Sequence, residues 1–178
     1  LRRRRAHPAV KPGRAGACPQ VSRREALQRL AVGLVAALQW HTAHWAERQG
    51  TPVRFTSSQG EMDLPPDRAM IVYRACQEAL TNIAKHARAT RVGVDLHCGD
   101  GIVSLEIQDN GQGFDASAPG KANSFGLQGL RERMRAVGGH LEVSSLPGRT
   151  TLMLWLPLDA SEAGIRNATE TDPQEPLT

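Results

Sequence analysis

A carboxylate, a carboxamide and a lysine share one face of a predicted helix. In Glu78-Ala-Leu-Thr-Asn82-Ile-Ala-Lys85-His86-Ala-Arg88, positions 78, 82 and 85 lie within about 60° of one another at α-helical pitch. Val72, Cys76, Leu80, Ile83 and Ala87 fall opposite them and would face a core. Oxygen ligands beside a positive charge suit a hard cation carrying a phosphate chain. For this stripe alone, a solvated helix face explains the pattern equally well.

Two further stretches weigh against that plainer reading. Val103, Leu105 and Ile107 alternate with Ser104, Glu106 and Gln108, predicting a strand that runs into Asp109-Asn110-Gly111-Gln112-Gly113-Phe114. A carboxylate at the lip of a sheet can accept a hydrogen bond from an exocyclic amine such as that of adenine, and the glycines let the backbone come close. Further on, Phe125-Gly126-Leu127-Gln128-Gly129-Leu130 opens a helix. Glycines at a helix start expose free amides and the positive dipole end to an anion. Either glycine run alone is weak, since Asp-Asn-Gly is also a plain turn.

In this order and spacing, the three stretches together resemble the ATP-binding domain of bacterial sensor histidine kinases, within the group that includes gyrase, the Hsp90 chaperones and MutL. The resemblance runs from about Ala31 to Leu158. Glu78-Ala-Leu-Thr-Asn82-Ile-Ala-Lys85-His86-Ala and Gly126-Leu-Gln-Gly129-Leu-Arg-Glu-Arg are similar to the nitrate-sensor and envelope-stress-sensor subfamily. By that likeness Asn82 would hold Mg²⁺, and Glu78 would sit beside it, orienting the metal or its water; these two carry the catalytic assignment. Lys85 and His86 would approach the phosphates of ATP. Asp109 would read adenine, Gly111 and Gly113 would shape the purine pocket, and Gly126, Leu127 and Gly129 would close over the phosphates. Thr150 would reach adenine through a water. Two departures stand out: Ser124 where relatives carry a glycine, and no glycine directly before Thr150, which shortens that turn.

The elements that must position these residues read as an α/β two-layer sandwich of the Bergerat type, a mixed, mainly antiparallel sheet with helices on one face. Arg23 to Gln49 reads as a helix with an apolar seam at Leu27, Leu30, Leu34, Val35, Leu38, Thr42 and Trp45, closed by Gly50. Val53 and Phe55 mark a short strand, and Pro65-Pro66-Asp67 starts the long helix, with Asp67 as its cap and its end near Ala89. Val92, Val94 and Leu96 form a second strand, turned by Gly99-Asp100-Gly101 into the third. Asp115–Ser124, with Lys121, reads as a mobile loop, the ATP lid of the resembled family. Gly138-Gly139 ends the glycine-started helix, His140 begins a strand with Leu141, Val143 and Ser145 on one face, and in the last strand Leu152, Leu154 and Leu156 alternate with Thr151, Met153 and Trp155.

Charge separates the tails from the domain. The 178 residues carry a net +4, yet residues 1–29 hold nine Lys/Arg against one Glu, and the remaining 149 hold thirteen basic against seventeen acidic side chains. Basicity therefore belongs to the tail, and direct nucleic-acid binding by the domain is not expected. The expected organisation is a disordered basic tail at 1–22, a connector helix at 23–50 left from a dimerisation and phosphoacceptor region, the ATP-binding domain at 51–158, and a disordered acidic tail at 159–178. Cys18, Cys76 and Cys98 are odd in number and form no C-x-x-C, as suits a reducing cytoplasm. No apolar run approaches the ~20 residues needed to cross a bilayer, so any inner-membrane anchor of the parent protein would lie in segments absent here. The chain opens on Leu1 rather than Met and reads as a fragment.

The resembled family phosphorylates a His followed directly by an acidic residue on a dimerising helical hairpin. None of His7, His41, His44, His86, His97 and His140 has that neighbour. His41 and His44, one turn apart between Trp40 and Trp45, read as packing or surface residues rather than a metal pair. The expectation is thus a domain that positions Mg-ATP for transfer to a histidine on a hairpin outside the chain, where homodimerisation also resides, and on to a response regulator of the LuxR/NarL DNA-binding type. By itself the chain would only bind ATP or hydrolyse it slowly. Alternatives are an anti-sigma-factor-like serine kinase, or a non-catalytic nucleotide-binding regulatory module.

Overall fold

Gly33 and Gly50 set the limits of the first helix. Gly33 sits at φ 109°, outside helical space, and Gly50 closes the other end at φ 66° with its amide on the Ala46 carbonyl at 2.9 Å. The computed structural model describes residue 30, residues 33–114 and residues 125–158. The first helix, α1, is Leu34–Gln49. The continuous helix expected from Arg23 is therefore broken at Gly33, because only glycine holds such a φ without strain. The basic tail, the loop Asp115–Ser124 with Lys121 and Ser124, and the acidic tail from Asp159 lie outside the described residues.

After α1 come β1 (Val53–Ser57), α2 (Pro66–Asn82), a π-helical turn (Ile83–Ala87), β2 (Val92–Gly99), β3 (Ile102–Asp109), α3 (Phe125–Ala136), β4 (His140–Leu146) and β5 (Arg149–Pro157). The strands form one sheet in the order β1-β2-β3-β5-β4, with β1 parallel to β2 and every other pairing antiparallel. Asp100 and Gly101, at φ 52° and 73°, make the two-residue turn between β2 and β3. Positive φ at both central positions matches the right-handed twist of the strands it joins.

Alternation puts one face of the sheet in the core. Val92, Val94 and Leu96 of β2, Val103, Leu105 and Ile107 of β3, and Leu152, Leu154 and Leu156 of β5 are all buried. Against them pack Val72, Tyr73, Cys76 and Leu80 of α2, and Leu127, Leu130 and Met134 of α3. The opposite face carries polar groups, among them the Arg54–Asp95 ion pair at 3.4 Å and the His140–Trp155 ring stack. Helices on one face and polar side chains on the other give the expected two-layer sandwich.

α1 docks through its seam: Leu34, Val35, Leu38, Thr42 and Trp45 are buried, and the Trp45 indole donates to the Leu80 carbonyl at 3.1 Å. His44 stacks on Trp40 at 4.8 Å, and His41 lies against Tyr73 at 5.5 Å. Both histidines thus make ring contacts, as packing residues would.

Two helix boundaries differ from the sequence reading. Pro65 is the residue preceding α2, and Asp67 lies within the first turn with no capping hydrogen bond from its side chain. It still favours the helix by placing negative charge at the positive dipole end. At the other end, α-helical geometry stops at Asn82 instead of running to Ala89; the next turn widens to π, and Arg88 leaves it left-handed at φ 51°. The Trp45 indole on the Leu80 carbonyl is an outside donor placed just ahead of this widening.

Candidate functional site

The π turn brings four consecutive residues to one cavity. Lys85, His86, Ala87 and Arg88 all line a space of about 470 Å³ between the end of α2 and the sheet. An α-helix would spread four successive residues most of the way around its axis. The widened turn and the left-handed exit keep them together, and such turns concentrate at functional sites.

The floor of the cavity is apolar. Ala79 and Ile83 come from the helix side, Ile107, Val143 and Leu152 from the sheet, and Leu127 from the first turn of α3. At its polar margin stand Asn82, Gln112, Thr150 and Asp109. An apolar floor with hydrogen-bond acceptors at its margin suits an aromatic base with an exocyclic amine.

Asp109 ends the central strand β3, opposite Val92 on one side and Thr150 on the other. It is only 4% exposed, and its Oδ1 accepts the Gly111 amide at 2.8 Å. Burial pushes the carboxyl above the usual carboxylate range, partly offset by that amide. Among the described residues, Oδ2 has no hydrogen-bond donor. An acceptor is thus presented to the cavity.

Gly111 is required by close packing: a Cβ there would lie 2.3 Å from the Ala87 carbonyl oxygen and 2.7 Å from Asp109 Oδ1. Gly113 is left-handed at φ 69°, and a Cβ would lie 2.5 Å from the Leu146 carbonyl oxygen. The loop they belong to is tied on both sides. Gln112 donates its amide to the Ala87 carbonyl at 2.8 Å and its side chain to that of His86 at 2.7 Å, joining the loop to the π turn. Gly148 donates to the Gly111 carbonyl at 2.8 Å, and Phe114 to the Ser145 hydroxyl at 2.9 Å, joining it to the β4–β5 hairpin. Asn110 accepts the Thr90 and Arg91 amides at 2.9 and 3.0 Å and donates to the Thr90 hydroxyl at 2.9 Å.

At the other side, Asn82 donates to Glu78 Oε1 at 3.3 Å, so the carboxamide oxygen and the second carboxylate oxygen remain as acceptors. Glu78 does not line the cavity; it lies behind Asn82, pressed against Gly126, whose Cβ would fall 2.0 Å from Glu78 Oε1.

Of the residues singled out from sequence, Asn82, Lys85, His86, Asp109, Gly113, Leu127 and Thr150 line the cavity. Gly111, Glu78 and Gly126 stand behind that wall. Gly129 does not line it, and a Cβ there would meet nothing within 4 Å. Thr150 keeps its place, but its hydroxyl lies 2.9 Å from the Ser145 hydroxyl and is engaged within the hairpin. Sequence reasoning missed Arg88, Gln112 and, Leu127 apart, the apolar floor. Ile107 and Leu152 carry the same alternation as core residues, so nothing local marks them as cavity walls.

Fold and site together define an ATPase-type nucleotide-binding domain, with an acidic residue at the end of the central strand facing a cavity beneath the last turn of a long helix. The chain belongs to the histidine kinase-, DNA gyrase B- and HSP90-like ATPase family, whose pattern matches residues 67–160. It is 33% identical over 139 residues to the sensor histidine kinase MctS of Rhizobium johnstonii, covering 77% of this chain and 30% of that protein. It is 33% identical over 141 residues to the histidine-protein kinase/phosphatase DegS of Brevibacillus brevis, covering 79% and 36%. The chain thus spans about a third of the length of these curated relatives. Its fold is similar to the histidine kinase domain of the Erythrobacter litoralis EL346 blue-light activated histidine kinase, with TM-score 0.62, 20% identity, and coverage of 75% of this chain and 70% of that one. It is also similar to the catalytic domain of histidine kinase ThkA, with TM-score 0.54, 12% identity, and coverage of 72% and 92%.

Proposed function

We propose that this chain is the nucleotide-binding catalytic domain of a sensor histidine kinase, holding Mg-ATP for phosphoryl transfer to a histidine on a segment beyond this domain. The observation that carries the reading is Asp109, a buried carboxylate whose Oδ2 has no donor among the described residues and which lines a cavity also bordered by Lys85 and His86. An adenine amine supplies the missing donor, and the Lys85 ammonium with the His86 ring N–H suits the phosphates.

The donor set fits magnesium. Asn82 and Glu78 each keep an oxygen unused by their mutual hydrogen bond, on the helix that borders the cavity. These residues would hold the metal, Asn82 directly and Glu78 through water, and the ion would neutralise charge on the phosphate oxygens. Lys85 and His86 attract the polyphosphate, Gly111 and Gly113 keep room for the base, and Gly126 and Leu127 border the site from α3. Catalysis by such a site is positioning and charge neutralisation of a γ-phosphoryl group.

The parent kinase would act as a homodimer in the cytoplasm, passing the phosphoryl group to an aspartate of a response regulator of the LuxR/NarL type. Among the described residues no helix is long and apolar enough to cross a membrane. Calorimetric titration with a non-hydrolysable ATP analogue, with and without Mg²⁺, tests the reading. Wild type should bind, Asp109→Ala should lose binding, and Asn82→Ala should lose its Mg²⁺ dependence. Equal binding by wild type and both variants would overturn it.

A further inference from the structure

Arg88 stands apart from the residues assigned so far. It leaves the π turn in the left-handed region, at φ 51° and ψ 33°, where a β-carbon is disfavoured and glycine is the usual occupant. Strained backbone of this kind persists where surrounding contacts enforce it, and it clusters at ligand sites. Those contacts are visible: the carbonyls of His86 and Ala87 are both held by Gln112, at 2.7 and 2.8 Å, which fixes the chain direction into residue 88. The consequence is that Arg88 lines the same cavity as Lys85 and His86. Its residue is exposed, and among the described residues it has no acidic partner.

We infer that Arg88 is a further nucleotide-binding residue, its guanidinium meeting the phosphate chain of the nucleotide at the cavity mouth. The inference rests on the nucleotide reading above and deepens it. The chemistry favours an anion over the sugar or base. Arg88, Lys85 and His86 issue from one turn, and the only acidic residue lining the cavity among the described residues is Asp109, buried at the base edge. A planar guanidinium carries several donors in a fixed fork that matches phosphate oxygens better than a lone amine does. The plainer account is a cation favouring a helix C-terminus, where it would act on stability alone.

Substitution by glycine separates the two accounts, because Arg88→Gly relieves the left-handed backbone while removing the guanidinium. The experiment titrates the full chain and its Arg88→Gly and Arg88→Lys variants with adenosine, ADP and a non-hydrolysable ATP analogue in Mg²⁺, alongside thermal melts. The expected result is about tenfold weaker binding of the ATP analogue by Arg88→Gly, a smaller loss for ADP, none for adenosine, and partial recovery in Arg88→Lys. The melting temperature should hold or rise. Unchanged ATP-analogue affinity, or an equal loss for adenosine, would overturn the assignment of Arg88 while leaving the nucleotide site intact. Failure of the wild-type chain to bind any of the three ligands would instead remove the nucleotide reading, and this inference with it.

Discussion

The carboxylate of Glu78 occupies the space that a side chain at Gly126 would need, with the position of a Cβ only 2.0 Å from Glu78 Oε1. Helix α3 therefore starts beside α2 with the Glu78 side chain in this position only because residue 126 is glycine. The same carboxylate accepts from Asn82, so the Glu78–Asn82 pair and the glycine-started helix form one mechanical unit.

Gly126→Ala should expose that link. The obstructing atoms are the end of a flexible side chain, so Glu78 can swing aside, and alanine favours a helix over glycine by roughly 1 kcal/mol. Stability should hold within about 1 kcal/mol by urea denaturation. Mg²⁺-dependent nucleotide affinity should fall about tenfold, because Asn82 loses its Glu78 partner. Gly129→Ala is the matched control: nothing lies within 4 Å of its Cβ, so it should leave affinity unchanged.

Asn110 should prove a positioning residue for Asp109. Its side chain closes three hydrogen bonds to Thr90 and Arg91, anchoring the segment after the π turn to the end of β3. Asn110→Ala leaves two exposed backbone amides to water in place of their acceptor, which should cost about 0.5–1.5 kcal/mol in urea denaturation. Asn110→Asp keeps both acceptor roles and should recover most of the loss. Equal destabilisation by the two variants would refute this account.

How much of this was legible depended on the range of the signal. Strands β2, β3 and β5 could be read because every second residue, from Val92 through Leu156, answers to a single buried face. Asp109 and its glycines could be read because a strand running into Asp-Asn-Gly fixes where the carboxylate stands. The π turn could not be read, since Ile83–Ala87 has unremarkable helical composition and the nearby Trp45 indole on Leu80 comes from 35 residues away. The left-handed Arg88 was hidden for the same reason: Gln112, far along the chain, holds the carbonyls that set it. Gly129 is the opposite case, a glycine at a suggestive spacing that lies off the cavity wall with open space beside it.

Cys76 and Cys98 should differ sharply in reactivity. Burial pushes the Cys76 thiol up to about 12, and it has no exposed surface, whereas Cys98 is half-buried. At pH 8 the thiolate fraction of Cys76 is on the order of one part in 10,000. Site-resolved mass spectrometry after brief alkylation should find Cys98 modified and Cys76 spared, with the difference vanishing in concentrated urea. Rapid native labelling of Cys76 would mean that the α2–sheet interface opens far more readily than its packing implies.

Asp109→Asn should move stability and nucleotide affinity in opposite directions. The folded-state pKa of Asp109 is raised, chiefly by burial, so between its unfolded and folded values the native state binds more protons than the unfolded state. Stability contributed by this group is therefore present at acid pH and declines as pH rises through the folded value. At pH 7 the buried charge opposes folding, and a neutral amide that still accepts from Gly111 removes that opposition. The variant should melt above wild type at pH 7, and the gap should narrow as pH falls into the carboxylate range. Binding should run the other way. An amide can present its NH₂ where the carboxylate offered Oδ2, setting donor against donor at the adenine amine, at a cost of about 1–3 kcal/mol, or roughly 5- to 150-fold in affinity. Melting curves at pH 4 and 7, with titrations of adenosine and the ATP analogue, read both effects. A variant that binds adenosine as wild type does would show that this carboxylate stands at the base edge without reading the base.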